Sequence, residues 1–234
     1  MISSEGMRKI AISDIHGCSA TLNALLHRLK LTATDQLFLL GDYIDRGPDS
    51  KQVLDTIFDL QESGLQVQCL KGNHEELLLW AMDGHHHGLE NFLRNGGEET
   101  LASFGVNHPG DIPSRYLDFI KNLPSWIESD EYIFVHAGLH FVPGLDPFSE
   151  PEKMLWIRNW YKSIDYTWLG DRYIIHGHTP MPKTNIRQMF GQFAAIRVLD
   201  IDAGCVFDLP GYSHLCACDL SNRLLYFEPR SDQP

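Results

Sequence analysis

Five times in this chain a short apolar run breaks off into a glycine-punctuated tip that carries Asp, Asn or His. Ile10-Ala11-Ile12 runs into Ser13-Asp14-Ile15-His16-Gly17, and Leu37-Phe38-Leu39-Leu40 into Gly41-Asp42 and then Asp45-Arg46. Val67–Leu70 precedes Gly72-Asn73-His74-Glu75, Tyr132–Val135 precedes His136-Ala137-Gly138, and Tyr173–Ile175 precedes His176-Gly177-His178-Thr179. Apolar runs this short, bounded by glycine, read as buried strands. In open α/β sheets the carboxyl ends of strands converge on one ligand crevice. The pattern therefore predicts an α/β fold with carboxylate, amide and imidazole side chains gathered at one rim. Such a set suits a pair of divalent transition metals.

Between the runs the period changes to helical. Leu22, Leu25, Leu26 and Leu29 mark one face behind Ser19, read as an N-cap. Pro48 opens a second helix with Val53, Leu54, Ile57 and Leu60, closed by Gly64. A third helix passes Leu77, Leu78 and Met82 to Gly84. Further helices are expected near 98–104 and 114–122, and strands at 131–135, 172–175, 195–199, 214–219 and 223–227. No internal repeat, low-complexity tract or composition break divides the chain, so residues 1–234 read as one α/β domain.

Bulk properties narrow the function classes. The hydrophobic fraction of 43% provides for an ordinary core. No apolar run is long enough to span a bilayer, and the N-terminal MISSEGMRKIAIS lacks the basic-then-apolar order of a secretory signal. Cys18, Cys69, Cys205, Cys216 and Cys218 are scattered and form no CxxC pair, so buried thiols in a reducing compartment are expected. The expected location is cytoplasmic, with no membrane partner. A formal charge of −12 leaves no basic stripe for nucleic acid, so no nucleic-acid partner is expected. An anionic substrate stays open, because bound dications reverse the local sign. The oligomeric state is not encoded in any feature of the sequence.

DxHG, GDxxDRG, GNHE, HAG and GHTP, in that order, resemble the calcineurin-like metallophosphoesterases. Within them the chain looks like the phosphoprotein-phosphatase branch, including small bacterial and phage serine/threonine phosphatases. The resemblance runs from Arg8 past Asp202-Ala203-Gly204 and implies a two-sheet β-sandwich flanked by helices. It implies one metal held by Asp14, His16 and Asp42, and a second held by Asp42, Asn73, His136 and His178, with Asp42 bridging. His74, oriented by Asp45, would be the general acid, while Arg46, Arg158 and Asn73 would bind the phosphate. The nucleophile would be a water between the metals. Manganese is favoured by family habit, and iron and zinc fit the same ligands.

The implied reaction is hydrolysis of a phosphate ester on phosphoserine or phosphothreonine. The close rival is a dinucleoside tetraphosphate hydrolase built on the same motifs, and a third reading is a metal-binding interaction module without catalysis. Four features stay outside these roles. His176 is an extra histidine beside the ligand position. His85-His86-His87 reads as a solvated loop. Asn95-Gly96-Gly97 reads equally as a crevice-lining loop or a plain helix-ending turn. Asp202-Ala203-Gly204 is expected to pack beside the site without chemistry of its own.

Overall fold

A computed structural model of the protein describes residues 7–233; the first six residues of the N-terminal segment discussed above lie outside them. Lys9–Ile12 (β1), Gln36–Leu39 (β2) and Gln66–Cys69 (β3) pair in parallel, with Ile10 opposite Leu37 and Leu37 opposite Val67. His214–Asp219 (β8) joins β1 antiparallel, and Leu224–Pro229 (β9) joins β8, giving the order β3-β2-β1-β8-β9. The second sheet has the order β4-β5-β6-β7, built from Trp126–Ser129 (β4), Tyr132–Val135 (β5), Tyr173–His176 (β6) and Val198–Asp200 (β7). Its last three strands are parallel and β4 is antiparallel to β5.

Strand alternation explains why the sheets stack. Ala11 and Phe38 of the first sheet, with Leu40 just past the end of β2, meet Phe134, Ile175 and Leu199 of the second in one buried cluster. Phe38 and Phe134 stack across the gap with ring centroids 4.0 Å apart. Ile10, Ile12, Leu37 and Leu39 face the other way, against Leu22 and Leu25 of Ser19–Leu29 (α1), Val53, Leu54 and Ile57 of Ser50–Glu62 (α2), and Leu77 and Leu78 of Asn73–Met82 (α3). Ile133, Val135, Ile174 and Val198 of the second sheet are buried under Leu139, Met154, Trp160 and Leu169. The architecture is the two-sheet sandwich flanked by helices that the motifs implied.

Gly88–Phe92 (α4), a wide turn at Leu93–Gly97 and Glu98–Phe104 (α5) follow α3, then Ser114–Lys121 (α6); Lys153–Trp156 (α7) lies between β5 and β6. Several local readings need correction. Ser19 is the first helical residue, not the cap; the N–H groups of Ala20 and Thr21 are bonded by the carboxylate of Asp232, from the far end of the chain. α2 starts at Ser50, with Asp49 accepting the Gln52 N–H. Residues 193–196 are helical, so the strand expected from 195 begins at Val198. β4 was not anticipated, because Trp126 to Ser129 is an edge strand whose residues all keep some exposure. All five cysteines are buried and free. No helix among the described residues is long and apolar enough to cross a membrane.

Candidate active site

The parallel strands deliver their polar tips to one rim. Asp42, past the end of β2, is central. Its Oδ1 accepts the His74 N–H at 3.0 Å, where α3 begins with unsatisfied donors. Its Oδ2 stands 3.5 Å from His16 Nε2, and its Oδ1 stands 3.5 Å from His136 Nε2. Both imidazoles are oriented alike: His16 Nδ1 donates to Ile44 O at 3.0 Å and His136 Nδ1 to Leu40 O at 2.8 Å. That fixes the tautomer and turns each Nε2 lone pair toward Asp42. Burial lowers the pKa of both rings, which keeps the lone pairs available.

Asn73 Oδ1 lies 2.9 Å from His136 Nε2 and 2.8 Å from His178 Nδ1. His136 Nε2 and Asn73 Oδ1 are therefore two acceptors face to face, with the Asp42 carboxylate beside them. Buried acceptors that converge in this way are stabilised by a cation between them. The Nε2 atoms of His74 and His178 are also buried with no hydrogen-bond partner. Ligand atoms of Asp42, His136 and His178 lie within 4.8 Å of one another, as do those of His16, Asp42 and His74. The two groups share Asp42, and their mixed nitrogen and oxygen donors fit a pair of divalent cations.

Asp14 is at the same rim but turned differently. Both of its oxygens accept the His178 N–H, at 3.2 and 3.1 Å, and one also receives the Ser13 hydroxyl. His74 rather than Asp14 completes the compact group with His16 and Asp42. Asp14 nevertheless lies close enough that its charge, after burial itself, helps raise the Asp42 pKa.

Backbone strain marks the same residues. Asp14, His16, Asp42, Asp45, Arg46 and His178 all have positive φ, between 47° and 71°. Such conformations cost about 1–3 kcal/mol each and persist where surrounding structure over-determines them. One source of that determination is Glu75, fully buried at the start of α3. Its carboxylate accepts three backbone N–H groups, from Asp42 (2.9 Å), Tyr43 (2.8 Å) and Gly72 (2.8 Å). It thereby binds the tip of β2 to the first turn of α3.

His74 Nδ1 is 2.8 Å from Asp45 Oδ2. Asp45 is held in turn: Thr100 Oγ1 donates to its Oδ1 at 2.6 Å, and its N–H is shared between Thr100 Oγ1 (2.9 Å) and Ser50 Oγ (3.1 Å). Burial pushes the Asp45 carboxyl well above its usual range, while the Thr100 hydroxyl pulls it down. Burial and the nearby His16 and Arg46 push His74 well down.

A cavity of about 230 Å³ opens over this floor, lined by Asp42, Arg46, Asn73, Trp156, Arg158 and His178, among others. Both arginines are exposed at its edge. Arg46 Nη1 reaches His16 Nε2 at 2.8 Å and lies over the Phe207 ring, and Arg158 Nη1 is 3.4 Å from Thr179 Oγ1. Asn95 lines the same cavity. Gly96 O accepts the Arg46 N–H at 3.1 Å, and Gly96 (φ 99°) has no room for a Cβ, which would fall 2.4 Å from Arg46 N. The crevice reading of Asn95-Gly96-Gly97 is the one the fold adopts.

His176 turns away from these ligands: its Nε2 bonds the Tyr161 hydroxyl at 2.9 Å, and burial pushes its pKa down to about 4. His85, His86 and His87 are exposed, with His87 paired to Glu90. Asp202 is buried, and its carboxyl is raised by burial and then by Asp14. Sequence reading missed Glu75 as an organiser, and missed Thr100, Ser50, Trp156 and Phe207. Only Glu75 had a local signal, three residues past Gly72 where a capping acid belongs; the others arrive from distant segments.

Fold and constellation together define a metallophosphoesterase-type site. The chain belongs to the calcineurin-like phosphoesterase family, whose model matches residues 7–206. It is 35% identical to the symmetrical bis(5'-nucleosyl)-tetraphosphatase of Nitrosomonas europaea, over 57% of this chain and 45% of that protein. The chain thus spans less than half the length of that relative. It is 27% identical to the asymmetrical bis(5'-nucleosyl)-tetraphosphatase PrpE of Bacillus velezensis, over 84% of each chain. A protein serine/threonine phosphatase from Saccharomyces cerevisiae has a similar fold, with a TM-score of 0.68 at 14% identity, covering all of this chain and 83% of that one.

Proposed function

We propose that this chain is a metal-dependent hydrolase of dinucleoside polyphosphates such as diadenosine tetraphosphate. The carrying observation is the buried acceptor cluster around Asp42, set beneath two exposed arginines. Similarity along 84% of both chains to a protein named as a tetraphosphatase supports this substrate over phosphoserine or phosphothreonine, the substrate first expected from the motifs.

Two divalent cations, manganese before iron or zinc, would be held by Asp14, His16 and Asp42 and by Asp42, Asn73, His136 and His178; bound there, they would lower the pKa of water toward about 7 and neutralise phosphate charge. Arg46 and Arg158 would grip phosphate oxygens with forked guanidinium groups. His74 would carry a proton on Nε2 for the leaving oxygen, with Asp45 holding Nδ1–H. Burial alone disfavours that imidazolium, and an anionic phosphate arriving beside it restores the balance. Thr100 would keep Asp45 in place through the cycle.

The test is hydrolysis of diadenosine tetraphosphate beside a phosphothreonine peptide, after chelator treatment and reloading with manganese. A much higher kcat/KM on the dinucleotide is expected. The opposite preference would restore the protein-phosphatase reading with the same ligands and acid. Failure on every phosphoester by fully loaded protein would favour an interaction module.

A further inference from the structure

Beside the phosphate cavity lies a second hollow that the proposed chemistry does not use. It measures about 390 Å³ and is lined by Leu77, Trp80, Asn91, Asn95 and Trp156. Asn95 and Trp156 line both hollows, so the second opens immediately next to the first. Trp156, the last residue of α7, is 37% exposed. It stacks on Trp80 with centroids 5.7 Å apart and planes 13° from parallel, and Trp80 stacks on His85 at 5.3 Å. These rings form a continuous aromatic ledge leading away from His178, whose ring meets the edge of Trp156 at 6.5 Å.

We infer that this hollow is a nucleobase subsite, selective for adenine, that places a nucleoside so that its phosphates reach Arg46 and Arg158. The inference rests on the dinucleotide reading for its biological sense but stands on its own residues. Aromatic ledges hold bases by stacking, because every base presents a π-face. Asn91 supplies the polar element: its half-buried side-chain amide lines the hollow and offers a donor and an acceptor side by side. An amide of this kind matches the N6 donor and N7 acceptor of adenine, whereas guanine presents two acceptors on that edge. Asn95 cannot play the same part freely, since its Nδ2 is committed to Asn91 O at 2.8 Å. That bond also fixes the wall between the two hollows.

Calorimetry on manganese-loaded protein tests this without hydrolysis. The probes are phosphonate analogues of AMP, GMP and ribose 5-phosphate, in which a carbon–phosphorus bond replaces the ester. The AMP analogue is expected to bind about tenfold or more tighter than the baseless analogue, a gap of the size that one base stack provides. Trp156→Ala should shrink that gap most, and Asn91→Leu should erase the preference for adenine over guanine. Equal affinity of the wild type for the AMP and ribose analogues would overturn the inference. An unchanged adenine gap in both variants would also overturn it. If the wild type shows the gap yet does not hydrolyse diadenosine tetraphosphate, the function reading falls and the subsite stands. If it hydrolyses the dinucleotide without showing the gap, the reverse holds.

Discussion

Replacing Thr100 by valine removes one hydroxyl and little volume. In the fold that hydroxyl donates to Asp45 Oδ1 at 2.6 Å and accepts the Asp45 N–H at 2.9 Å, in a fully buried place. The Asp45 N–H keeps Ser50 Oγ at 3.1 Å, so no backbone donor is orphaned. The loss falls on Oδ1, a carboxylate oxygen left without its donor, and on the buried Ser50 hydroxyl, which loses its 3.0 Å bond to Thr100 Oγ1. A hydrogen bond to a charged group is worth about 1.5–3 kcal/mol, and stranding a buried acceptor adds to that, so about 2–4 kcal/mol is expected. With a urea m-value of about 2–3 kcal/mol/M the unfolding midpoint should fall by about 1 M. Thr100→Ser, which keeps the hydroxyl and loses a methyl group, should cost only about 1 kcal/mol. Activity should divide the same way: with Asp45 less firmly placed against His74, Thr100→Val should lower kcat about tenfold, and the serine variant should restore it. Urea unfolding of both variants at neutral pH is the assay. If the valine protein stays within about 0.5 kcal/mol of the wild type, the hydroxyl does not hold Asp45 as the geometry says.

His74→Asn should keep both metals, measured by elemental analysis, while kcat falls about 10²–10⁴-fold. The deficit should be larger on an alkyl phosphate than on a phosphoanhydride, because the poorer leaving oxygen needs the proton more. Gly96→Ala forces a Cβ to 2.4 Å from Arg46 N at a φ of 99°, so Arg46 must move; a raised KM with the metals retained is expected, and an unchanged KM would separate Arg46 from substrate binding. Asp35 receives Arg8 through Nε (3.0 Å) and Nη2 (2.6 Å), and also the Thr32 N–H (2.8 Å). Burial by itself raises the Asp35 carboxyl, but these bonds outweigh it and hold the pKa below the ordinary value. A depressed folded pKa means stability that is fully present above the unfolded value of about 3.9 and lost as pH falls through the folded one. Asp35→Asn should therefore cost about 1.5–3 kcal/mol at pH 7, the range for hydrogen bonds to a charged group. In urea titrations that difference should shrink as pH falls below the ordinary carboxylate value of about 3.9 and on through the lower folded one. A difference independent of pH would mean that the charge does not matter.

Much of the candidate site was legible because its residues sit in short local motifs. A strand end, a glycine and an Asp or His recur at Asp14, Asp42, Asn73, His136 and His178, and parallel strands bring such ends to one rim whatever the intervening sequence. The runs themselves called only for an α/β domain, since Ile10 and Ala11, or Leu37 and Phe38, are apolar on both faces and demand cover on both; the two-sheet sandwich was implied by the family resemblance. Edge strand β4 escaped because partial exposure gives no such pattern. The helix start at Ser19 was misplaced because its N–H groups are satisfied by Asp232, more than two hundred residues away.

What the sequence determined alone is thus the chemistry of the rim: which donors exist, which strands carry them, and that they must meet. What only the tertiary structure decided is how each donor is aimed. The tautomers of His16 and His136 depend on carbonyls at Ile44 and Leu40, Asp45 is held by Thr100 from α5, and Trp156 joins Trp80 from another segment. Hydrogen bonds and ring stacking act over a few ångströms of space, and separation along the chain says nothing about which groups come that near. Strand periodicity is a local property and can be read from neighbours in sequence; orientation belongs to neighbours in space.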